Sequence, residues 1–293
     1  MNFSEKLKTL RKQKNLSQEE LAEKIHVSRQ AITKWESGMG LPDIGNIIAI
    51  SLLFNESLDS LLNEEKSLLS KHEFLYESGT EYDLDNPKKI DFKIGAAHEI
   101  IVEQTKDEKL QVLLASNKIV CLAQQAKVKI VEDKNRMDVI VNHSADFSGA
   151  NALENLFVLI RIPAKFVADI EIHSETENLK IRDITFETLE FSGKVSNCFF
   201  TNTGGHTELD TDSNLYAEIN NCKGKIDFNQ VKAISKIRFA EHSNYCLRNA
   251  GRRTRFLDSD NNILIDKRAK KEVQTDADLI VELNGWKSEI RIL

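Results

Sequence analysis

Residues 17–38 have the sequence SQEELAEKIHVSRQAITKWESG, and this stretch decides the fold of the N-terminal part of the chain. Ser17 followed by Glu20 has the spacing of a capping box, which predicts that a helix begins there. Ser28 predicts the start of the next helix, and Gly38 predicts its end. Two short helices joined by a turn of a few residues are the build of a helix-turn-helix motif.

Three more helices are predicted around this motif. The residues that place them are Phe3, Leu7 and Leu10 for the first helix, Pro42-Asp43 followed by residues 44–53 for the fourth, and Leu58, Leu61 and Leu62, framed by Ser57 and Ser60, for the fifth. In the third helix, Ala31, Ile32 and Trp35 have the spacing of core residues. Glu36 is expected to hold the turn structurally, because a carboxylate beside DNA phosphate would be repelled.

The same residues resemble a known family. Ser17 to Lys24, Val27 to Gly38 and Leu41 to Asp43 are similar to the phage-repressor and Cro type of bacterial DNA-binding domain, also called the XRE family. The resemblance implies a small all-α five-helix domain over residues 1–64. It also implies that Gln18 occupies the family's phosphate-clamping position and that Arg29, Gln30 and Lys34 match its base-reading positions.

The residue chemistry of the third helix suits DNA recognition. An α-helix fits the major groove of B-DNA, where Arg pairs with guanine and Gln with adenine. The predicted base-reading residues are Arg29, Gln30, Thr33 and Lys34, and the predicted phosphate contacts are Gln18, Ser28, Lys6, Arg11, Lys12 and Lys14. The alternative is a merely solvated polar face, and the Thr33 hydroxyl has the further alternative of bonding back to its own helix.

Charge and composition limit the function classes. The 293 residues include 40 Lys and Arg against 46 Asp and Glu, a net charge of −6, so the chain is not a polycation that coats nucleic acid indiscriminately. Any DNA contact is therefore local, and all eight basic residues of segment 1–62 precede residue 35. The N-terminus is charged, and no stretch reaches the roughly 20 apolar residues that span a bilayer. We expect a cytoplasmic protein with free cysteines and without a membrane partner.

The remainder of the chain changes from helical to strand periodicity. Residues 65–89 are predicted as a partly helical linker, and residues 90–293 alternate apolar and polar side chains in short runs separated by turn residues. This pattern predicts a larger all-β domain, as a sandwich or, after Pro163, as a right-handed parallel β-helix or solenoid. The β-rich part of the chain resembles bacterial adhesin-like domains of unknown function, and this resemblance implies that it forms a solenoid. The segments that carry the resemblance are 162–165, 169–174, 178–181 and 284–290.

Neither cysteines nor catalytic motifs identify a reaction. Cys198, Cys222 and Cys246 follow one another at equal intervals of 24 residues, which would stack three sulfurs if one solenoid coil had that length. The seven histidines lack metal-ligand spacing, and no phosphate-binding loop or nucleophile elbow is present. Asp210 and Asp212 are conceivable as an acid/base pair but are typical of a turn. The Ala250-Gly251 bond is followed by too few residues for a self-cleaving peptidase domain. We therefore expect no enzyme, cofactor or metal.

These observations predict a transcriptional regulator that binds specific sequences of double-stranded DNA. One helix-turn-helix contacts half a site, so a homodimer on an inverted repeat is expected, with repression as the default. The β domain is expected to sense an unknown effector or to oligomerise; the fifth helix and residues 67–76 are further candidates for the dimer contact. A passive dimerisation scaffold and a glycan-binding or glycan-active solenoid remain alternatives. Arg252 to Arg255 form the densest basic stretch outside the first domain, and this stretch is either a solvated loop or a second contact to DNA or to an anionic ligand.

Overall fold

The computed structural model describes residues 3–14, 16–40, 42–54, 74–144, 147–266 and 277–293. The chain forms two compact units, Met1–Lys71 and His72–Leu293. The first is helical over its described part and the second is β-rich, which confirms the small helical region followed by a large β-rich domain. The predicted fifth helix lies outside the described residues.

Four helices make up the described part of the first unit, and local capping signals place them. They are α1 (Phe3–Gln13), α2 (Gln18–Lys24), α3 (Arg29–Glu36) and α4 (Ile44–Phe54). The capping box at α2 is present: Ser17 Oγ accepts from the Glu20 amide and a Glu20 carboxylate oxygen accepts from the Ser17 amide. Ser28 Oγ caps α3 by accepting from the Ala31 amide, and Asp43 Oδ1 accepts from the Asn46 amide at the start of α4.

The helices of the first unit enclose one apolar core. Its buried members are Phe3, Leu7, Leu21, Ala22, Ile25, Ile32, Trp35, Ile50 and Phe54. The inward positions of Ile32 and Trp35 are as predicted, since they follow one another on one face of α3. The opposite face of α3 is consequently left to solvent.

In the residues that the structure describes, the second unit has 15 strands in one sheet that is not closed on itself. The strands are β1 (Tyr76–Asp83), β2 (Lys89–Thr105), β3 (Lys109–Ser116), β4 (Ala126–Glu132), β5 (Arg136–His143), β6 (Phe157–Pro163), β7 (Asp169–Asp210), β8 (Tyr216–Asn220), β9 (Lys223–Val231), β10 (Ile234–Phe239), β11 (Tyr245–Asn249), β12 (Arg255–Leu257), β13 (Ile263–Asp266), β14 (Leu279–Trp286) and β15 (Glu289–Ile292). Two short helices, α5 (Leu122–Gln125) and α6 (Gly149–Asn155), and a 3-10 turn (Ala164–Phe166) interrupt them.

Most long-range pairings of this unit are parallel. Strand β2 pairs in parallel with β5, β6 and β7, and β7 continues in parallel to β8 and β9, while β14 lies between β9 and β11. Antiparallel pairs join β1 to β3, β3 to β6, β4 to β5 and β12 to β13. Alternate side chains of the parallel strands point into one continuous apolar core.

The repeat of the parallel stack is shorter than the cysteine spacing suggested. Asn202 donates to Asp183 across 19 residues, and Thr203 donates to Cys222 Sγ across the same interval. Cys198 pairs in register with Ala217 and Cys246 with Ile280. The hypothesis of a ladder of three sulfurs is therefore wrong, because a repeat of 19 residues cannot superpose side chains that are 24 apart. Within the described residues the four cysteines are free.

The segment predicted as a partly helical linker differs from that description. Residues 76–83 form β1, which pairs with β3 along its whole length, so the β-rich unit begins before Lys89. The side chains of β1 alternate between partly buried and exposed, the period-two pattern of an edge strand. Residues 55–73, which include the rest of the predicted dimer contacts before β1, lie outside the described part of the chain.

Candidate nucleic-acid interface

Helix α3 exposes a polar face, and its opposite face packs into the core of the first unit. Arg29, Gln30, Thr33 and Lys34 are exposed, whereas Ile32 and Trp35 on the other face are buried. Arg29 and Gln30 occupy the first turn, and the other two lie one turn later. All four predicted base-reading residues therefore share one exposed side of a short helix.

A buried carboxylate joins the three helices behind this surface. Glu36 Oε1 accepts from Arg11 Nε at 2.6 Å, and Glu36 Oε2 accepts from Arg11 Nη2 at 2.9 Å and from Gln18 Nε2 at 2.8 Å. The side chains of Arg11 and Glu36 are only 11% and 3% exposed. Arg11 Nη1 also donates to the Leu16 carbonyl at 2.7 Å. These bonds connect α1, the start of α2 and the end of α3, so they fix how α3 is presented. We call Arg11, Gln18 and Glu36 the Glu36 network.

The network determines the charge state of Glu36. Burial alone raises the pKa of the carboxyl, but hydrogen bonds from Arg11 and Gln18 outweigh it and lower the pKa below its ordinary value. The bond to Glu36 raises the pKa of Arg11 in return. Glu36 is thus held as a carboxylate, in agreement with the structural role predicted for it.

Arg11 requires a correction, because the sequence predicted it as a phosphate contact. Its guanidinium is nearly buried and is used by Glu36 and the Leu16 carbonyl, so it does not form part of an exposed rim. The two residues are 25 positions apart, and no local sequence signal indicates that they meet. This pairing is what the sequence interpretation missed.

The other predicted phosphate contacts lie at several places. Gln18 and Ser28 are at helix N-termini, and the Ser28 hydroxyl is used as a cap. Lys12 and Lys14 are exposed, whereas the side chain of Lys6 lies outside the described residues. The structure does not test whether any of them meets phosphate, so they stay predictions.

Two of the predicted contacts are restrained by neighbours. The Thr33 hydroxyl donates to the Arg29 carbonyl at 3.0 Å, which is the bond back to its own helix, and it lies 3.1 Å from Gln18 Oε1. The Gln18 amide is therefore held between Thr33 and Glu36. Arg29 Nη1 lies 3.6 Å from Glu19 Oε2, and both side chains are mostly exposed.

The β-rich unit brings together histidines that the sequence shows as scattered. Asp91, Glu171 and His173 form one group, and His206, Glu208 and Asp227 form another. In each group the buried aspartate is also bonded to a cation: Asp91 pairs with Arg136, and Lys225 Nζ lies 2.8 Å from Asp227 Oδ2. Adjacent strands place these side chains in register, which explains why spacing along the sequence did not reveal them.

Asp210 and Asp212, the conceivable acid/base pair, have structural partners. Asp210 Oδ1 accepts from Asn229 Nδ2 at 2.5 Å, and Asp212 Oδ1 accepts from the Val231 amide at 2.9 Å. Both bonds span 19 residues: the first joins β7 to β9, and the second joins the turn after β7 to the end of β9.

Comparisons with known proteins agree with the geometry of the first unit. A helix-turn-helix family model matches residues 7–61. The HTH-type transcriptional activator BcrR of Enterococcus faecalis is 52% identical over 66 residues, which are 22% of this chain and 32% of that protein. The chain thus spans about a third of the length of BcrR. The uncharacterized HTH-type transcriptional regulator YqaE of Bacillus subtilis is 35% identical over 116 residues, 36% of this chain and 96% of YqaE.

The β-rich unit has structural neighbours of very low sequence identity. A "putative cell adhesion protein" from Clostridium sporogenes covers 74% of this chain and 98% of its own, with 7% identity and a TM-score of 0.35. A "putative adhesin" from Parabacteroides distasonis covers 74% and 97%, with 9% identity and a TM-score of 0.29. The expected resemblance to adhesin-like domains is confirmed.

Among the helices that the structure describes, none is long and apolar enough to cross a membrane. The residues matched by the family model include the exposed α3 and most of the helical core described above, and the chain covers 96% of YqaE at 35% identity. The chain therefore belongs to the helix-turn-helix family of DNA-binding transcriptional regulators.

Proposed function

We propose that this protein is a cytoplasmic, sequence-specific regulator that binds double-stranded DNA as a homodimer and inserts α3 into the major groove. One observation carries the proposal: α3 exposes Arg29, Gln30 and Lys34 together, while the Glu36 network fixes the helix from behind. A preorganised helix loses little conformational freedom when it binds. Each correct bidentate contact to a base is worth about 1–3 kcal/mol of discrimination.

The geometry of DNA recognition supports the proposal of a dimer on an inverted repeat. One reader helix covers one half-site, and two half-sites about one helical turn apart require two copies of the chain. We propose that the β-rich unit, as a parallel solenoid, supplies sensing or oligomerisation by binding and not by catalysis. The parallel pairings and the 19-residue repeat support the solenoid.

We propose repression as the regulatory sign, because a protein lying across a promoter blocks polymerase without further contacts. The relative BcrR is named an activator, so the sign needs its own measurement. A reporter with the site placed over the promoter should be silenced by the protein. Stimulation from a site upstream of the promoter would instead contradict repression.

The experiment that tests DNA recognition is selection of bound duplexes from a random pool by the full-length protein at a fixed, stated salt concentration. Salt must be fixed because phosphate contacts make affinity strongly salt-dependent. Enrichment of an inverted repeat is expected. Recovery of unenriched DNA would contradict sequence-specific reading, and an enriched single half-site would contradict the dimer.

The base-reading role of α3 predicts a selective loss of affinity. Arg29→Ala and Gln30→Ala should each weaken binding to the selected site by about 1–3 kcal/mol and leave binding to random DNA nearly unchanged. Lys12→Ala is the matched control, because Lys12 is exposed outside α3 and a phosphate contact affects all sequences equally. Titrations of both DNAs at one salt concentration give the comparison. Equal losses on both DNAs for the α3 variants would exclude base reading by these residues.

A further inference from the structure

A cluster of cations lies at three stacked turns of the β-rich unit. We call it the basic corner and define it as Lys232, Arg252, Arg253 and Lys287. The Lys232 amide donates to the Trp286 carbonyl at 2.9 Å, and the Lys287 amide donates to the Arg252 carbonyl at 3.0 Å. The turns that follow β9 and β14 and the turn at Arg252-Arg253 are thus stacked by backbone bonds.

The backbone of this corner has an unusual conformation for cationic residues. Lys232, Lys287 and Arg253 have φ angles of 55°, 54° and 56°. Residues other than glycine rarely adopt positive φ, and Asn and Asp do so most readily. Another column of turns has the residue types that are usual at positive φ. Its residues Asp183, Asn202 and Asn221 have φ angles of 49°, 53° and 51°, and their side chains form hydrogen bonds with one another. At the basic corner, cations occupy positions that suit Asn.

The charges of the corner repel one another, and the described part of the chain supplies no counter-charge beside them. Neighbouring strands of a sheet are about 4.8 Å apart, so the stacked turns hold like charges close together. All four side chains belong to exposed residues, and among the residues that the structure describes no carboxylate lies within ion-pair distance of them. Nearby Arg248 and Arg255, by contrast, pair with Glu282 and Glu289.

An aromatic ring relieves part of this repulsion. Lys232 Nζ lies 5.5 Å and Lys287 Nζ 4.3 Å from the centroid of the Trp286 ring, within the range of a cation–π contact. Trp286 is itself 38% exposed. The ring therefore holds two ammonium groups at the surface without neutralising them.

The corner is also rigid beneath its surface. Ser288 is fully buried and its hydroxyl donates to the Gln230 carbonyl at 2.9 Å, while it accepts from the Ala233 amide at 3.2 Å. Gln230 is buried as well. The stacked turns are thus fixed before any ligand arrives.

We propose that the basic corner binds the phosphodiester backbone of double-stranded DNA. This contact is independent of sequence and supplements the base contacts that α3 makes. Duplex DNA carries one negative charge per about 1.7 Å of its axis, a density that a rigid column of exposed cations complements. The inference rests on the proposed function, because the DNA is the duplex that α3 recognises. A second contact with the same molecule raises affinity through effective concentration.

The test is the salt dependence of DNA affinity for the full-length triple variant Lys232→Asn, Lys287→Asn and Arg253→Asn. Asn suits positive φ, so the variant should fold at least as stably as the wild type, which a thermal melt checks. Loss of three phosphate contacts should reduce the slope of log K against log salt by about 2.7. Between 50 and 200 mM salt the wild type should then lose about 40-fold more affinity than the variant.

A second triple variant controls for net charge. Lys127→Asn, Lys129→Asn and Lys134→Asn remove three exposed cations from another part of the same unit and should leave the slope unchanged. The inference would be overturned if wild type and corner variant had equal salt slopes, or if both triple variants reduced the slope equally. In either case, DNA binding by the wild type would leave the proposed function intact. Loss of binding to vesicles of phosphatidylglycerol and phosphatidylcholine, with an unchanged DNA slope, would overturn it in favour of a membrane surface. Absence of DNA binding by the wild type would overturn both proposals.

Discussion

Glu36→Gln is expected to lower the stability of the N-terminal unit by about 3 kcal/mol, because it leaves the nearly buried Arg11 guanidinium without its counter-charge. The substitution keeps the size of the side chain, so the loss reports charge and hydrogen bonding and not a cavity. A change of this size lowers Tm by more than about 10 °C in a small domain. Fluorescence of buried Trp35, measured in a Trp286→Phe background, follows this unit.

The matched control is Glu19→Gln, which removes a carboxylate from an ion pair whose two side chains are more than 60% exposed. Solvent screens such a pair, so little change is expected. Similar melting of both variants would contradict the structural role of the Glu36 network. A loss of operator affinity without a loss of stability in Glu36→Gln would instead assign Glu36 to the DNA contact.

The same network gives stability a definite dependence on pH. The folded pKa of Glu36 is lowered from its ordinary value of 4.5, so its contribution is fully present above that pH and is lost as the pH falls through the folded pKa. Glu36→Gln lacks this titration. The difference in unfolding free energy between wild type and variant should therefore narrow below pH 4.5, and a constant difference would contradict the assignment.

The second large effect is expected in the β-rich unit, where Gly205→Ala should destabilise the fold by about 3 kcal/mol or more. Gly205 has a φ of 121°, and an added Cβ would lie 2.1 Å from the Phe186 carbonyl oxygen. That oxygen belongs to the neighbouring pass of the backbone and cannot move away without breaking the parallel register. Chemical unfolding followed by circular dichroism of the strands measures the loss.

Gly79→Ala is the matched control for this prediction. Gly79 lies in β1, and the nearest heavy atom to an added Cβ is the tip of the Leu113 side chain at 3.8 Å. Alanine there should stabilise slightly, because it reduces the freedom of the unfolded chain at no steric cost. If both variants were destabilised equally, the clash between an added Cβ at Gly205 and the Phe186 carbonyl oxygen would not be the cause of the loss.

The helices of the first unit were predictable because their signals are local. The Ser17–Glu20 capping box, the Ser28 cap and the inward spacing of Ile32 and Trp35 each lie within one or two turns of chain. The composition of the exposed α3 face was predictable for the same reason. Arg11 was assigned wrongly because its partner lies in another helix, 25 residues away.

The β-rich unit shows how far periodicity reaches. Alternating runs predicted strands after Lys89, but β1 was assigned to a linker, and the cysteine interval suggested a coil length that the register contradicts. A period of two fixes which face a side chain occupies, but it contains no information about which strand will be its neighbour. The His173 and His206 groups and the basic corner exist only through that pairing.

By itself, the sequence determined the two-part organisation, the caps and core face of the helix-turn-helix, and the residues exposed on α3, since these depend on contacts between near neighbours in the chain. Only the tertiary structure decided the Glu36 network, the 19-residue parallel register and the column of cations at Lys232, Lys287 and Arg253. Those features join residues that are far apart in sequence. Their energies depend on burial and on the spacing between strands, and neither is defined until the chain has folded.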